Sequence, residues 1–298
     1  MRIIAIMPCR NSGWILGLSA RAVLQWCDEL LVLNHASTDD TDRVCEQVCH
    51  ETGGRLRCWW KDDNQWPEME HRQFLLEKAR ERGATHIVTV DDDEVLTANM
   101  LPEIRGIIER LRPEYTLQLP WLCLRGGIDK YHASGIWSQS YASVAWQDDP
   151  RCHWSSAERG GYQYHHRHPM GRPLAPWMTS RALGGLMHLQ FVDEPRLRAK
   201  QFWYCLQERL RWPNLKTPQQ VVDYYSPAVY GHAANDPNPV VLSPVPTEWW
   251  AGYEPLMQYF HPERESWQLE ECRRIIRENP GIEAGLDNFG LALQSLYA

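Results

Sequence analysis

A short acidic segment, Asp91-Asp92-Asp93-Glu94, has the residue types and the spacing that could hold a divalent metal ion. It directly follows an apolar run, residues 85–90, that has the composition of a buried strand. Because side chains alternate at a strand end, Asp91 and Asp93 can point the same way and share one hard cation, Mg²⁺ or Mn²⁺. The alternative interpretation is an acidic turn that ends the strand and caps the following helix.

Two more polar clusters follow predicted strands. Arg10-Asn11 comes after a strand predicted over residues 2–7, and residues 34–40 come after a strand predicted over 29–33. The carboxyl ends of parallel strands meet at one edge of a sheet, and ligands of such sheets bind beyond that edge. We therefore expect both clusters to lie at the same edge as the acidic segment.

Predicted strands alternate with predicted helices through the first 115 residues. The spacing of apolar residues indicates helices over 12–28, 41–52, 68–82 and 99–112, and a further strand over 56–60. This alternation predicts an α/β fold in which a mostly parallel sheet is flanked by helices on both faces.

The remainder of the chain lacks this alternation. Residues 116–212 contain unclear strands and one predicted helix over 194–211, so we expect an irregular half there. Residues 213–262 hold nine of the twenty prolines, which predicts an irregular wrap, and a last helix is predicted over 264–278.

Composition narrows the class of protein. The 298 residues carry a formal charge of −7, which disfavours non-specific binding to nucleic acid. The nine cysteines are scattered without a C-x-x-C pair, so we expect reduced thiols and a cytoplasmic location, with peripheral contact to a membrane left open. No apolar run is long enough for an integral membrane segment, and the N-terminus has the pattern of a strand rather than a signal peptide.

Three motifs together resemble the N-terminal half of family 2 glycosyltransferases with the GT-A fold: Met7-Pro8-Cys9-Arg10-Asn11, Leu31-Val32-Leu33-Asn34-His35-Ala36-Ser37-Thr38-Asp39-Asp40-Thr41 and Asp91-Asp92-Asp93-Glu94. The resemblance covers about the first 115 residues well and continues more weakly to about residue 212. It implies a Rossmann-like GT-A fold, with a nucleotide-sugar-binding half over 1–115 and an acceptor-binding half over 116–212. The rest, 213–298, would be a proline-rich wrap and a helical C-terminal extension.

The resemblance also implies a reaction. A sugar would move from a nucleotide-diphosphate sugar to a hydroxyl group of a glycan or another acceptor, with inversion at the anomeric carbon. The cofactor would be Mn²⁺ or Mg²⁺. A nucleic acid is disfavoured as the acceptor, although the sequence leaves that possibility open.

Site residues carried over by the resemblance fall into two groups. Asp91 and Asp93, which match the family's Asp-x-Asp (DXD) motif, would bind the metal together with His188, and Glu94 would orient them. The residues expected to contact the nucleotide sugar are Pro8, Arg10, Asn11, Asn34, Ser37, Asp39, Arg72 and Asp92. Asn34 departs from the family, which usually has an aspartate there, although an amide can still make paired hydrogen bonds to a base.

The general base that would accept the proton of the acceptor hydroxyl is predicted to be Asp149 or His166. His166 lies in Tyr164-His165-His166-Arg167-His168, whose three histidines could instead bind a transition metal.

Tryptophan is over-represented, with 15 residues. Those between Trp121 and Trp177 would stack against the sugar rings of an acceptor if their faces are exposed, and core packing is the alternative.

Two other functions fit the same sequence. One is a non-catalytic protein that binds carbohydrate or nucleotide sugar. The other is a Mg²⁺-dependent nucleotidyltransferase, which would usually have a loop rich in glycine and basic residues after the first strand; here residues 8–13 contain one arginine.

Overall fold

The computed structural model describes residues 1–63, 66–156, 167–231 and 240–291. Its first half alternates strands and helices in the order β1 (Ile3–Cys9), α1 (Leu16–Val23), β2 (Glu29–His35), α2 (Thr41–Glu51), β3 (Leu56–Lys61), α3 (Glu68–Glu81), β4 (His86–Thr89), β5 (Glu94–Leu96) and α4 (Leu101–Glu109). The second half contains β6 (Tyr115–Cys123), β7 (Lys130–His132), β8 (Tyr141–Gln147), β9 (Ala175–Met178), β10 (Leu186–His188), α5 (Glu194–Arg211), α6 (Pro218–Tyr230), β11 (Leu242–Pro244) and α7 (Trp267–Glu278).

Strand β1 lies in the centre of the sheet and is buried along its whole length. Ile3, Ala5 and Met7 belong to one apolar cluster, whereas Ile4 and Ile6 belong to another, because alternate side chains face opposite sides of the sheet. A parallel strand covered on both faces is expected to be continuously apolar, as this one is. The predicted α/β fold is therefore confirmed.

The sheet is mixed, and the expectation of a mostly parallel sheet is confirmed in part. Nine strands of the described residues form it, in the order β3-β2-β1-β4-β8-β6-β10-β5, with β9 paired to β6. Pairings among β1, β2, β3 and β4 are parallel, but β8 runs antiparallel to both β4 and β6, and β5 runs antiparallel to β10. The expectation of a mostly parallel sheet is thus confirmed among the first four strands, and β9 also pairs parallel to β6, whereas β8 pairs antiparallel with β4 and β6 and β5 pairs antiparallel with β10.

The chain forms two compact units that are discontinuous in sequence. Unit 1 comprises Met1–Trp121, Tyr141–His188 and Pro246–His261. Unit 2 comprises Leu122–Ser140, Leu189–Val245 and Pro262–Ala298. These units do not follow the divisions after residues 115 and 212 drawn from the sequence, and the functional labels given to those divisions stay predictions.

Unit 2 contains three helices among its described residues. Side chains of α5, α6 and α7 share one apolar core, which includes Phe202, Val221 and Ile275. Helix α6 lies in the proline-rich region where the sequence predicted an irregular wrap. Its start has a clear physical cause, because Thr217 and Gln220 form a reciprocal capping box and Pro218 occupies the first turn.

Among the described residues, no helix combines the length and the apolar character that crossing a membrane requires.

Two adjacent glycines bring β10 close to its neighbours. Gly184 has a φ of +101°, a conformation that favours glycine. The Gly185 N–H donates to Thr97 Oγ1 at 3.1 Å, and the Thr97 N–H donates to the Gly185 carbonyl at 2.9 Å. A Cβ atom on Gly185 would lie 2.2 Å from the backbone oxygen of Pro120, so this position has no room for a side chain.

We expect Gly185→Ala to destabilise the protein by about 1–3 kcal/mol, because the Pro120 carbonyl is part of β6 and cannot move aside without disturbing the sheet. The measurement is the free energy of unfolding in urea. Gly106→Ala is the control: its Cβ would approach the mobile guanidinium of Arg110 at 3.3 Å, and alanine favours the helix by up to about 1 kcal/mol. Equal unfolding midpoints for Gly185→Ala and wild type would contradict the close approach.

Candidate functional site

Loops after β1, β2 and β4 meet through hydrogen bonds at the carboxyl edge of the sheet. The Asn11 N–H donates to Ser37 Oγ at 2.8 Å, and the Thr38 N–H donates to Asn11 Oδ1 at 2.6 Å. Ser12 Oγ hydrogen-bonds the Asp92 carboxylate. The three polar clusters of the sequence are therefore joined by hydrogen bonds.

Two residues of these loops have backbone conformations that are uncommon away from glycine. Asn11 has a φ of +51° and Ala36 a φ of +47°. Asparagine tolerates this left-handed region, whereas alanine has a steric cost there. Such strain concentrates at functional sites, where the surrounding structure holds it in place.

Ser37 and Asp39 order the loop after β2. Ser37 Oγ donates to Asn34 Oδ1 at 2.5 Å, and Asp39 accepts from the backbone N–H of Gly13 at 2.9 Å and of Thr41 at 3.0 Å. Asn34 has no exposed surface, and its Nδ2 atom has no hydrogen-bond partner among the described residues. Contact of these residues with a nucleotide stays a prediction, as it does for Pro8 and Arg10 in and after β1.

Arg72 connects α3 to the acidic segment. It is 1% exposed; its Nε donates to Glu68 Oε1 at 2.9 Å and its Nη2 to Asp91 Oδ1 at 2.8 Å. Burial lowers the pKa of this guanidinium, but the two carboxylates outweigh that effect and raise it overall. Its Nη1 atom is buried and has no hydrogen-bond partner within the described part of the chain.

Glu94 is a buried carboxylate that receives donors from three segments. Trp121 Nε1 donates to Oε1 at 2.7 Å, the Asp91 N–H donates to Oε2 at 2.9 Å, and Arg167 Nη1 donates to Oε1 at 2.6 Å. Burial raises the pKa of Glu94, and the Arg167 guanidinium acts in the opposite direction. Arg167 Nη2 also lies 3.8 Å from Asp91 Oδ2, so this arginine faces two carboxylates.

Asp93 and His188 lie side by side. His188 Nε2 is 3.5 Å from Asp93 Oδ1, and both side chains are nearly buried, with 5% and 9% of their surface exposed. β10 runs antiparallel to β5 so that His188 pairs with Glu94, which places the imidazole beside the acidic segment. The ring of Trp121 stacks on that imidazole, with centroids 4.2 Å apart and planes 16° from parallel.

The predicted metal ligands are thus only partly brought together. Asp93 and His188 are adjacent, whereas Asp91 is paired with Arg72 and faces Arg167. In the described residues, no group of three or more His, Cys, Asp or Glu side chains could hold a metal ion.

The two predicted general bases have different outcomes. His166 lies outside the described residues. Asp149 accepts from Arg151 at 2.9 and 2.8 Å and from Arg172 at 2.6 Å. The hydrogen bonds from Arg151 hold the pKa of Asp149 well below its usual range, which disfavours it as a proton acceptor.

Arg167 and Trp121 are the two site residues that the motifs did not single out. Arg167 lies in the histidine-rich segment after residue 163, and its position among histidines was the one sequence feature that could have pointed to it. Trp121 belongs to the set that was expected to stack on sugars, but one face of its ring contacts His188.

Other tryptophans of that set pack in the core. Trp146 and Trp154 are 0% and 3% exposed and contact each other edge to face. For these two residues the structure therefore favours core packing, the alternative left open by the sequence, over an exposed sugar-stacking face.

No protein-family model matches the chain. No curated protein matches it either. Among solved structures it is similar to S. aureus TarS residues 1–349, with 11% identity, a TM-score of 0.40, and coverage of 96% of this chain and 83% of that one. TarS has also been solved in complex with UDP-GlcNAc.

A second similar structure is the mannosyltransferase PcManGT from Pyrobaculum calidifontis in complex with GDP-Man and Mn²⁺, with 13% identity, a TM-score of 0.42, and coverage of 78% of this chain and 70% of that one. A third is glucosyl-3-phosphoglycerate synthase from Mycobacterium tuberculosis, with 17% identity, a TM-score of 0.30, and coverage of 42% and 45%. Solved glycosyltransferases are thus among the structures that this chain resembles.

Removing the guanidinium of Arg72 leaves Glu68 and Asp91 without their shared partner. We expect Arg72→Met to cost about 3–5 kcal/mol in the free energy of unfolding, because it strands buried charge, and the double variant Arg72→Met, Glu68→Gln to recover part of that loss. Arg43→Met, which breaks an exposed pair with Asp40, should change stability by about 0.5 kcal/mol or less. An equally small effect at Arg72 would show that the buried pair is not formed.

His71, beside Arg72, gives a pH prediction. It is 1% exposed, and burial lowers its pKa to about 3, so it stays neutral in the folded protein while an unfolded histidine gains a proton near pH 6.5. The unfolded state therefore binds more protons between pH 6.5 and 3, and stability falls as the pH falls through that window.

We expect His71→Phe to remove about 2 kcal/mol of the stability loss that wild type shows between pH 7 and pH 5. Urea unfolding at both pH values measures it, and His50→Phe, at an exposed position of α2, is the control. A His71→Phe protein with the wild-type pH dependence would contradict the buried neutral imidazole.

Proposed function

We propose that this protein is a metal-dependent glycosyltransferase that moves a sugar from a nucleotide-diphosphate sugar to an acceptor hydroxyl. The observation that carries the proposal is the pairing of Asp93 with His188 at 3.5 Å, next to the buried Arg72 and the mostly buried Arg167 at the carboxyl edge of the sheet. Such an edge is where ligands of α/β sheets bind.

The donor set fits a divalent cation. Two ligands that are each about 2.1 Å from one cation lie about 3.0–4.2 Å apart, and the Asp93–His188 separation of 3.5 Å is within that range. We expect Mn²⁺ to bind more tightly than Mg²⁺, because Mg²⁺ prefers oxygen ligands and loses water reluctantly. When bound, the cation would neutralise the negative charge that develops on the departing diphosphate.

Arg72 and Arg167 support a diphosphate beside this pair. A guanidinium matches the geometry of phosphate oxygens, and each arginine retains a buried N–H group with no hydrogen-bond partner among the described residues, Nη1 of Arg72 and Nε of Arg167. Both also hold Asp91 in place, which favours an orienting role for Asp91 and direct metal binding for Asp93.

The nucleoside would lie against the loops after β1 and β2. Their shared hydrogen bonds hold these loops in place before any ligand binds. Inversion and a base among Asp149 and His166 come from the family resemblance; the arginine pairs of Asp149 make His166 the better of the two.

The proposal is tested by calorimetric titration of Mn²⁺, followed by titration of UDP- and GDP-sugars. We expect Asp93→Asn and His188→Ala each to weaken Mn²⁺ binding at least about tenfold and to abolish metal-dependent binding of the nucleotide sugar. Asp42→Asn, at an exposed position of α2, should behave as wild type.

The outcome also separates the competing functions. Slow release of free sugar from the donor in Mn²⁺ without acceptor would support a transferase, and binding without any turnover would support a non-catalytic protein. Release of pyrophosphate from a nucleoside triphosphate would support a nucleotidyltransferase. Mn²⁺ binding that survives both Asp93→Asn and His188→Ala would refute the site.

A further inference from the structure

Trp121 contacts one proposed metal ligand, His188, and the Glu94 carboxylate at the end of the acidic segment. Its indole N–H donates to Glu94 Oε1 at 2.7 Å, and its ring stacks on the His188 imidazole with centroids 4.2 Å apart. Trp121 is on β6, which lies beside β10, the strand that carries His188. One side chain thus connects the proposed metal-binding histidine to the carboxylate that holds the acidic segment.

The stacking contact restricts the orientation of His188. The torsion that turns an imidazole about its bond to Cβ has a broad energy profile, so neighbours must select the angle of the ring. An indole plane 16° from the imidazole plane leaves little room for that rotation. Nε2 therefore stays directed to the side of Asp93, where it lies 3.5 Å from Oδ1.

The hydrogen bond restricts Glu94 in the same way. Trp121 and Arg167 donate to Oε1 at 2.7 and 2.6 Å, and Oε2 accepts the backbone N–H of Asp91 at 2.9 Å and a second hydrogen bond from Arg167. That bond closes the turn between β4 and β5 in which Asp93 lies. Trp121 therefore contacts the imidazole directly and, together with Arg167, holds the carboxylate to which the turn is hydrogen-bonded.

We propose that Trp121 is a positioning residue that preorganises Asp93 and His188 for a divalent cation. The inference rests on the proposed function, because it assumes that this pair binds the metal. Groups that orient metal ligands typically change affinity by 10- to 100-fold when they are removed. A sugar-stacking role, which the sequence suggested for this tryptophan, would instead affect acceptor binding and leave the affinity for metal unchanged.

The test compares Trp121→Leu, which loses both contacts, with Trp121→Phe, which keeps a stacking ring and loses the N–H donor. We expect Mn²⁺ affinity, measured by calorimetry without nucleotide sugar, to fall about tenfold or more in Trp121→Leu and by about threefold in Trp121→Phe. In donor hydrolysis, the Mn²⁺ concentration for half-maximal rate should rise, and kcat at saturating Mn²⁺ should stay within about twofold of wild type.

Trp177→Leu is the matched control, because Trp177 packs half-buried against the same apolar cluster as Trp121. It should lose stability without losing Mn²⁺ affinity, which separates a general packing defect from a positioning role. If a folded Trp121→Leu protein binds Mn²⁺ with wild-type affinity, the inference is overturned and the proposed function is not. If the leucine variant does not fold, wild-type affinity in Trp121→Phe has the same meaning. A wild-type protein that binds no Mn²⁺ overturns the proposed function and the inference together.

Discussion

The site depends on the buried carboxylate of Glu94. A carboxylate without exposed surface must be surrounded by donors, because burying an unmatched charge costs several kcal/mol. The donors come from Arg167, from Trp121 and from the backbone of Asp91, which are distant in sequence. Satisfying one charge therefore holds three segments together at the end of β4.

This arrangement gives the neighbouring carboxylates different environments. Asp91 faces two guanidinium groups, Asp92 accepts from Ser12, and Asp93 faces an imidazole. A guanidinium remains charged and keeps its carboxylate occupied, whereas a neutral imidazole and a carboxylate can both offer lone pairs to a cation. The three consecutive aspartates thus differ in chemistry because each has a different partner.

The sequence was most informative where local patterns are long. β1 and β2 were predicted because each has seven continuously buried residues, and α3 was predicted because its helical periodicity extends over 14 residues. β5 and β10 have three residues each, too few for a pattern, and the antiparallel pairing of β8 depends on contacts with distant segments. Helix α6 was missed because its prolines obscured the capping box at Thr217, which was a readable signal.

In the site, the residue types were readable and their partners were not. The acidic segment and His188 were identified from spacing and resemblance, but no local pattern shows that Arg167 faces Glu94 across 73 residues of chain. Asp91 and Asp93 were assigned the same role because alternate side chains of a strand point the same way. Strand alternation does not show that Arg72 and Arg167 lie beside the Asp91 carboxylate.

The discontinuity of unit 1 has a consequence for how the protein is made. Helix α1 is complete at Val23, yet Tyr259, which packs against Gly17 and lies under the Arg21 guanidinium at 3.6 Å, is in the last segment of the unit. At about 5–20 residues per second, a ribosome needs about 12–50 seconds to synthesise the chain between them. During that interval the outer surface of α1 is uncovered, so the nascent chain must carry an incomplete unit 1 through most of its own synthesis.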